Sequence, residues 1–154
     1  MIENIEIMSP VGSFESLKAA IQGGADSVYF GIGKLNMRSR SSINFSLDDL
    51  SAIVDIAKKA NIKTYLTLNT VVFDNEIEEV EEIIINAKKT SVNAIIASDM
   101  SVFELAAKHN MPIHASTQTN ITNVQAIKFF AKYTDVVVLA RELNLNQVKA
   151  ISKK

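Results

Sequence analysis

Short apolar runs alternate with helix-length amphipathic segments along the whole of this 154-residue chain. The runs at residues 5–9, 27–31, 63–69, 94–98, 112–116 and 135–140 are too short for helices and carry strand patterns. Between them, residues 14–22, 47–60, 77–90, 100–109 and 124–133 place apolar positions three and four apart, the stripe of a helix packed on one face. A sixth such segment begins near Leu145. No hairpin signal joins two strands. The order strand, helix, strand predicts parallel strands linked by helical crossovers.

Capping chemistry supports these boundaries. Ser13 and Asp99 stand where N-caps belong. Ser46 with Asp49, and Asn144 with Gln147, have the spacing of capping boxes. Gly23-Gly24 is a fitting end for the first helix.

Two architectures accommodate six such units. One is an open, doubly wound sheet; the other is a (β/α)8 TIM-like barrel that stops early, since a complete barrel takes ~250 residues. Alternation within the strands favours the incomplete barrel. Tyr65, Thr67 and Asn69 share one face, opposite Leu66 and Leu68. His114, Ser116 and Gln118 share another, opposite Ile113 and Ala115. A face that turns polar toward the strand's C-terminal end suits a barrel mouth. No glycine-rich phosphate loop is present to support a nucleotide fold. The expected fold is therefore α/β, an incomplete barrel forming a single domain over residues 1–154. Its first and sixth strands would be open edges, which predicts a homo-oligomer or a further C-terminal segment that covers them.

Composition narrows the function classes. Hydrophobic residues make up 47% and charged residues 21%, with a net charge of −1. That is a globular composition without a global field for nucleic acid or anionic membrane. No apolar run approaches the ~20 residues of a membrane span. The N-terminus lacks a secretory signal, so the expected location is cytoplasmic, with no membrane partner. The chain has no cysteine. Disulfides, thiolate metal sites and cysteine nucleophiles are excluded within it.

Candidate chemistry gathers at the strand tips, where an α/β fold builds its sites. His114 suits a general acid or base, and its shared face with Ser116 and Gln118 favours that over a satisfied core histidine. Arg141 and Glu142 follow the sixth strand; as strand neighbours they would face opposite ways, one into the site and one supporting it. Asn69 and Thr70 end the third strand. Arg38 and Arg40 lie with Asn36 in the loop after the second strand. Paired guanidinium groups suit a phosphate or carboxylate, although spacing alone favours a solvated loop. Asp99 reads first as an N-cap, His109 as a helix C-terminal residue, and residues 76–82 as an acidic solvated helix start. Glu6, if buried, needs a partner such as an arginine. His114 and Ser116 are neighbours on one strand with no identifiable orienting acid, so a serine-type triad has little support. No spacing points to a metal site.

Taken together, EIMSPVGSFESLKAAIQGGADSVYFG, NMRSRSSINFS, TYLTLNTVVFDNE, PIHASTQTNITN and VVLAREL resemble the collagenase-like peptidase family, family 32 among peptidases of unknown catalytic type. The resemblance covers nearly the whole chain and corresponds to the family's N-terminal barrel portion. It raises Asn36, Arg38, Asn44 and Phe45 above a solvated loop, without extending to Arg40. With the strand-tip reading above, this makes His114, Arg141 and Glu142 the candidate catalytic residues, and Asn36, Arg38, Asn69, Ser116 and Gln118 the candidate substrate contacts. Family members carry protease or collagenase names, and relatives support hydroxylation of tRNA, ribosomal RNA or the ubiquinone ring precursor. Several hold a four-iron four-sulfur cluster through four cysteines that follow the LAREL strand, in a segment this chain lacks. The resemblance thus implies RNA or a small molecule as substrate of a longer parent, with no cofactor in this chain.

Three readings remain open: part of such an enzyme, inactive in isolation; a genuine peptidase; and a binding or assembly module without catalysis. The first is the expectation taken forward.

Overall fold

The apolar stripes of the crossover segments close into helices against one side of a single sheet. The computed structural model describes residues 5–37 and 45–153. Strands β1 (Met8–Pro10), β2 (Ser27–Gly31), β3 (Lys63–Leu68), β4 (Ala94–Ala97), β5 (Ile113–Ala115) and β6 (Val136–Val137) pair in parallel and in sequence order. Helices α1 (Phe14–Gln22), α2 (Leu50–Lys59), α3 (Ile77–Thr90), α4 (Met100–Lys108), α5 (Val124–Phe130) and α6 (Leu145–Ser152) follow the strands in turn. A doubly wound sheet reverses its strand order at a switch point. This sheet does not; it curls into the half-barrel expected of an incomplete (β/α) barrel.

Strand alternation sorts the side chains onto two faces. Phe30, Leu66, Ile95 and Ile113 lie in one register row and face outward. They join Leu17, Ile53, Val54, Ile84, Val102 and Phe103 of the helices in the main core. Full burial of each such side chain is worth roughly 1.5–3 kcal/mol. The opposite, inner face carries its own small cluster of Tyr65, Ala94 and Ile96, with Tyr29 against it and no helix residue in it.

Several boundaries differ from the pattern-based expectation, each for a local reason. β1 begins at Met8 rather than residue 5, because the Asp26 carboxylate takes the Ile7 N–H at 2.8 Å. α2 begins at Leu50 rather than residue 47. The Ser46 N–H and hydroxyl both donate to the Asp49 carboxylate, at 2.8 and 2.7 Å, while the Asp49 N–H goes to the Ser46 carbonyl and not to its hydroxyl, so the pair closes a preceding turn instead of a full capping box. α5 ends at Phe130, where Tyr133 N–H returns to the Phe130 carbonyl in a tight turn. β6 stops at Val137 because Ala140 N–H leaves the ladder for the Ile121 carbonyl. The caps at Ser13, Asp99 and Asn144 form as expected. Gly24, just past α1, has φ +79°, a conformation that glycine adopts without strain.

Candidate active site at the C-terminal strand ends

The inner-face positions of β3 and β5 lead upward to Asn69 and Ser116. Asn69 follows β3 and bridges two loops: its side-chain oxygen accepts the Met37 N–H at 3.2 Å, and its nitrogen donates to Ser116 Oγ at 3.3 Å. Ser116 is buried and caps the short 3-10 turn Thr117–Thr119, its Oγ also accepting the Gln118 N–H at 3.3 Å. That turn ends the extended backbone, so Gln118 does not continue the His114–Ser116 face and is exposed.

His114 sits one position below Ser116 on the inner face, opposite Ile96 and Val136. It is half-buried, and its ring centroid lies 4.7 Å from that of Tyr65. Burial lowers the imidazole pKa below its usual 6.5, against the attraction of Asp135 and Glu6. Among the described residues neither ring nitrogen has a hydrogen-bond partner, and no bond joins His114 to Ser116. The serine hydroxyl faces Asn69 instead. A neutral imidazole on the inner wall is free to exchange hydrogen bonds with a bound molecule.

Lower on the same face lies a group that sequence reasoning did not assemble. Tyr65 donates its hydroxyl to Glu6 at 2.6 Å, and Lys63 Nζ reaches the other carboxylate oxygen at 2.5 Å. Glu6 is thus paired by lysine and tyrosine, not by an arginine. Burial opposes its charge, but the bonds from Lys63 and Tyr65 prevail and hold its pKa at about 2. Burial, then the bond to Glu6, pushes the Tyr65 phenol up. Tyr65 stood on the right face in the sequence. Its partner 59 residues away had no signal there.

The remaining candidates separate. Asn36 is fully buried, and its amide donates to the Ile32 and Gly33 carbonyls at 3.4 and 3.3 Å. Phe45 is buried too, edge-on to Phe14 and Phe30. Both shape the loop after β2. Arg38, Arg40 and Asn44 lie outside the described residues. Arg141 and Glu142 stand in an exposed turn beyond β6, not on a strand, so the opposite-faces argument does not apply to them. Thr70, after Asn69, is partly buried. Asp99 caps α4 through Ser101 N–H at 2.9 Å and also takes Val72 N–H at 3.1 Å, tying the β3–α3 loop to α4. His109 meets Glu81 at 2.7 Å on the outer helices, remote from the inner wall.

A cavity of about 720 Å³ opens at the opposite end of the strands, among Glu6, Asp26, Lys58, Lys63 and Asn93. Its charged groups are already engaged: Lys63 with Glu6, Asp26 with Ile7 N–H, Lys58 with the Thr90 carbonyl. Barrel chemistry belongs at the C-terminal face, so His114 and Ser116 mark the candidate site. The residues present do not fit an iron–sulfur cluster. The chain has no thiolate to offer, and among the described residues no group of three His, Asp or Glu side chains is placed to hold a metal. No helix among them is long and apolar enough to cross a membrane.

Comparison with known proteins agrees with this architecture. The family model described as peptidase family U32 matches residues 12–154. A collagenase of Porphyromonas gingivalis is 50% identical over 150 residues, which cover 97% of this chain and 36% of that protein. The 23S rRNA 5-hydroxycytidine C2501 synthase of Escherichia coli is 38% identical over 96% of this chain and 22% of its own length. The solved U32 peptidase Mk0906 superposes with a TM-score of 0.73 at 14% identity, over 99% of this chain and 68% of that one, and so shares the fold. The chain therefore spans about a third or less of the length of these curated relatives.

Proposed function

The chain belongs to peptidase family U32, and from that premise we propose that it is the N-terminal wall of a longer barrel enzyme that hydroxylates an RNA base. The pocket lies at the C-terminal strand ends. His114 exchanges a hydrogen bond or proton with the substrate there, and Ser116, Asn69 and Gln118 line its approach. Asn36 holds the start of the loop after β2 through Ile32 and Gly33, Arg141 and Glu142 serve as charged groups at the rim, and Arg38 contributes a guanidinium for substrate. The relative named for rRNA 5-hydroxycytidine synthesis supports RNA as the substrate class.

One observation carries the reading: among the described residues the His114 imidazole on the inner wall has no hydrogen-bond partner, burial lowers its pKa, and the serine beside it has its hydroxyl tied to Asn69 instead. That arrangement serves recognition and proton exchange better than serine attack. Oxygen insertion into a base needs a redox centre, and this cysteine-free chain offers no thiolate to hold an iron–sulfur cluster. A segment beyond it would supply an iron–sulfur cluster, and the isolated chain is inactive. The pocket is cytoplasmic, where its RNA is found.

A peptidase is the second reading, favoured by the 50% identity to the collagenase. Deleting the gene in its own cells and profiling RNA nucleosides by mass spectrometry separates the two. Loss of a hydroxylated nucleoside, restored by the native gene and not by His114→Gln, supports hydroxylation. An unchanged nucleoside profile together with lost cleavage of unfolded collagen peptides would overturn it in favour of the peptidase.

A further inference from the structure

We infer that Tyr65 is a positioning residue for His114, itself held in place by Glu6 at the opposite end of the barrel wall. The inference rests on His114 belonging to the site proposed above. Three neighbouring elements contribute: the segment before β1 brings Glu6, β3 brings Lys63 and Tyr65, and β5 brings His114.

Tyr65 is 5% exposed and packs on Ala94 and Ile96. Packing alone leaves an aromatic ring able to turn or slide. The 2.6 Å bond from its hydroxyl to Glu6 removes that freedom at the far end of the ring. Lys63 then fixes the carboxylate from the other side. The ring centroids of Tyr65 and His114 are 4.7 Å apart, with the planes 53° from parallel. Because no hydrogen bond among the described residues orients the imidazole, this ring is its principal geometric constraint. Other titratable groups near the wall are Asp135 at the start of β6, Lys63 and Tyr29. Asp135 takes the Ile113 N–H at 3.3 Å and so meets the backbone rather than the imidazole. The carboxylate stays ionised and the phenol protonated across the range in which His114 titrates, so the clamp persists while the imidazole changes charge.

The test is proton–carbon NMR of ring-labelled histidine in the protein as its cells make it, with the His114 cross-peak identified as the one lost in His114→Gln. Tyr65→Leu removes the ring and defines the shift of an unshielded imidazole. Tyr65→Phe keeps the ring and removes only the hydroxyl. The expected result is that Tyr65→Phe and Glu6→Ala each move the His114 cross-peak toward its Tyr65→Leu position and change its titration midpoint. The double variant should move it no further than the larger single change, because both cut one clamp. A cross-peak that stays at its native position in Tyr65→Phe and Glu6→Ala, while Tyr65→Leu shifts it, would overturn the role of Glu6. A cross-peak unmoved by Tyr65→Leu would overturn the role of Tyr65. General loss of peak dispersion in the conservative Tyr65→Phe would also overturn it, by making the hydroxyl a requirement for folding instead. The readout needs no activity. If His114→Gln leaves RNA hydroxylation intact, the proposed function fails while the NMR result still decides the clamp.

Discussion

Asn69 donates its side-chain amide to Ser116 Oγ at 3.3 Å and thereby ties the end of β3 to the end of β5, across the intervening β4. Its oxygen simultaneously holds Met37 of the neighbouring loop. Asn69→Ala removes both bonds and leaves a buried serine hydroxyl short of a partner, a loss of about 1–3 kcal/mol. Asn69→Asp should cost less, because Ser116 can reverse its role and donate to the carboxylate while Met37 keeps its acceptor. Urea midpoints for the two variants would show this order, and equal midpoints would contradict it.

Gly31 has a different kind of constraint. A Cβ placed there would lie 2.2 Å from Asn36 Cγ, far inside contact distance. Gly31→Ala must therefore expel the fully buried Asn36 side chain, with overpacking of about 1–3 kcal/mol. Asn36→Ala alone loses bonds to Ile32 and Gly33 but makes space. Combined with Gly31→Ala, it should cost less than the sum of the single changes. Thermal unfolding of the four proteins closes that cycle.

Acid should weaken the fold in two stages. The folded pKa of His114 is lowered below 6.5 by burial, so the unfolded chain takes up its proton more readily. That stability is complete above pH 6.5 and is lost as pH falls through the folded value. Glu6 has the same sign in a lower window. Its folded value of about 2 lies below the usual 4.5, so its contribution fades between those two values. Denaturant midpoints measured from pH 8 to pH 2 should fall in both windows. His114→Gln should flatten the upper fall, and Glu6→Gln part of the lower one, which Asp99 and Glu81 share.

The half-barrel was legible because each helix stripe and each strand alternation is a local property. Tyr65, Thr67 and Asn69 announced an inner face within five residues of sequence. The Glu6–Tyr65 bond was not legible, since it depends on the register that sets β1 beside β2 and β2 beside β3. β6 misled for another reason. Its apolar run looks continuous through Ala140, but Ala140 bonds to Ile121, and Arg141 and Glu142 are left in a turn. Gln118 was misplaced similarly, because Ser116 spends its hydroxyl capping a turn that the alternation pattern does not encode.

The strictly sequential pairing of the sheet sets how the molecule will breathe. Among the described residues β3 is bonded on both sides, whereas β1 and β6 each have one neighbour. Amide protons should therefore exchange with deuterated solvent fastest in β1 and β6 and slowest in β3 and β4, with local opening travelling inward from the two rims. Any chain that later pairs with either rim would leave its footprint as slowed exchange there first, before the centre of the sheet registers its arrival.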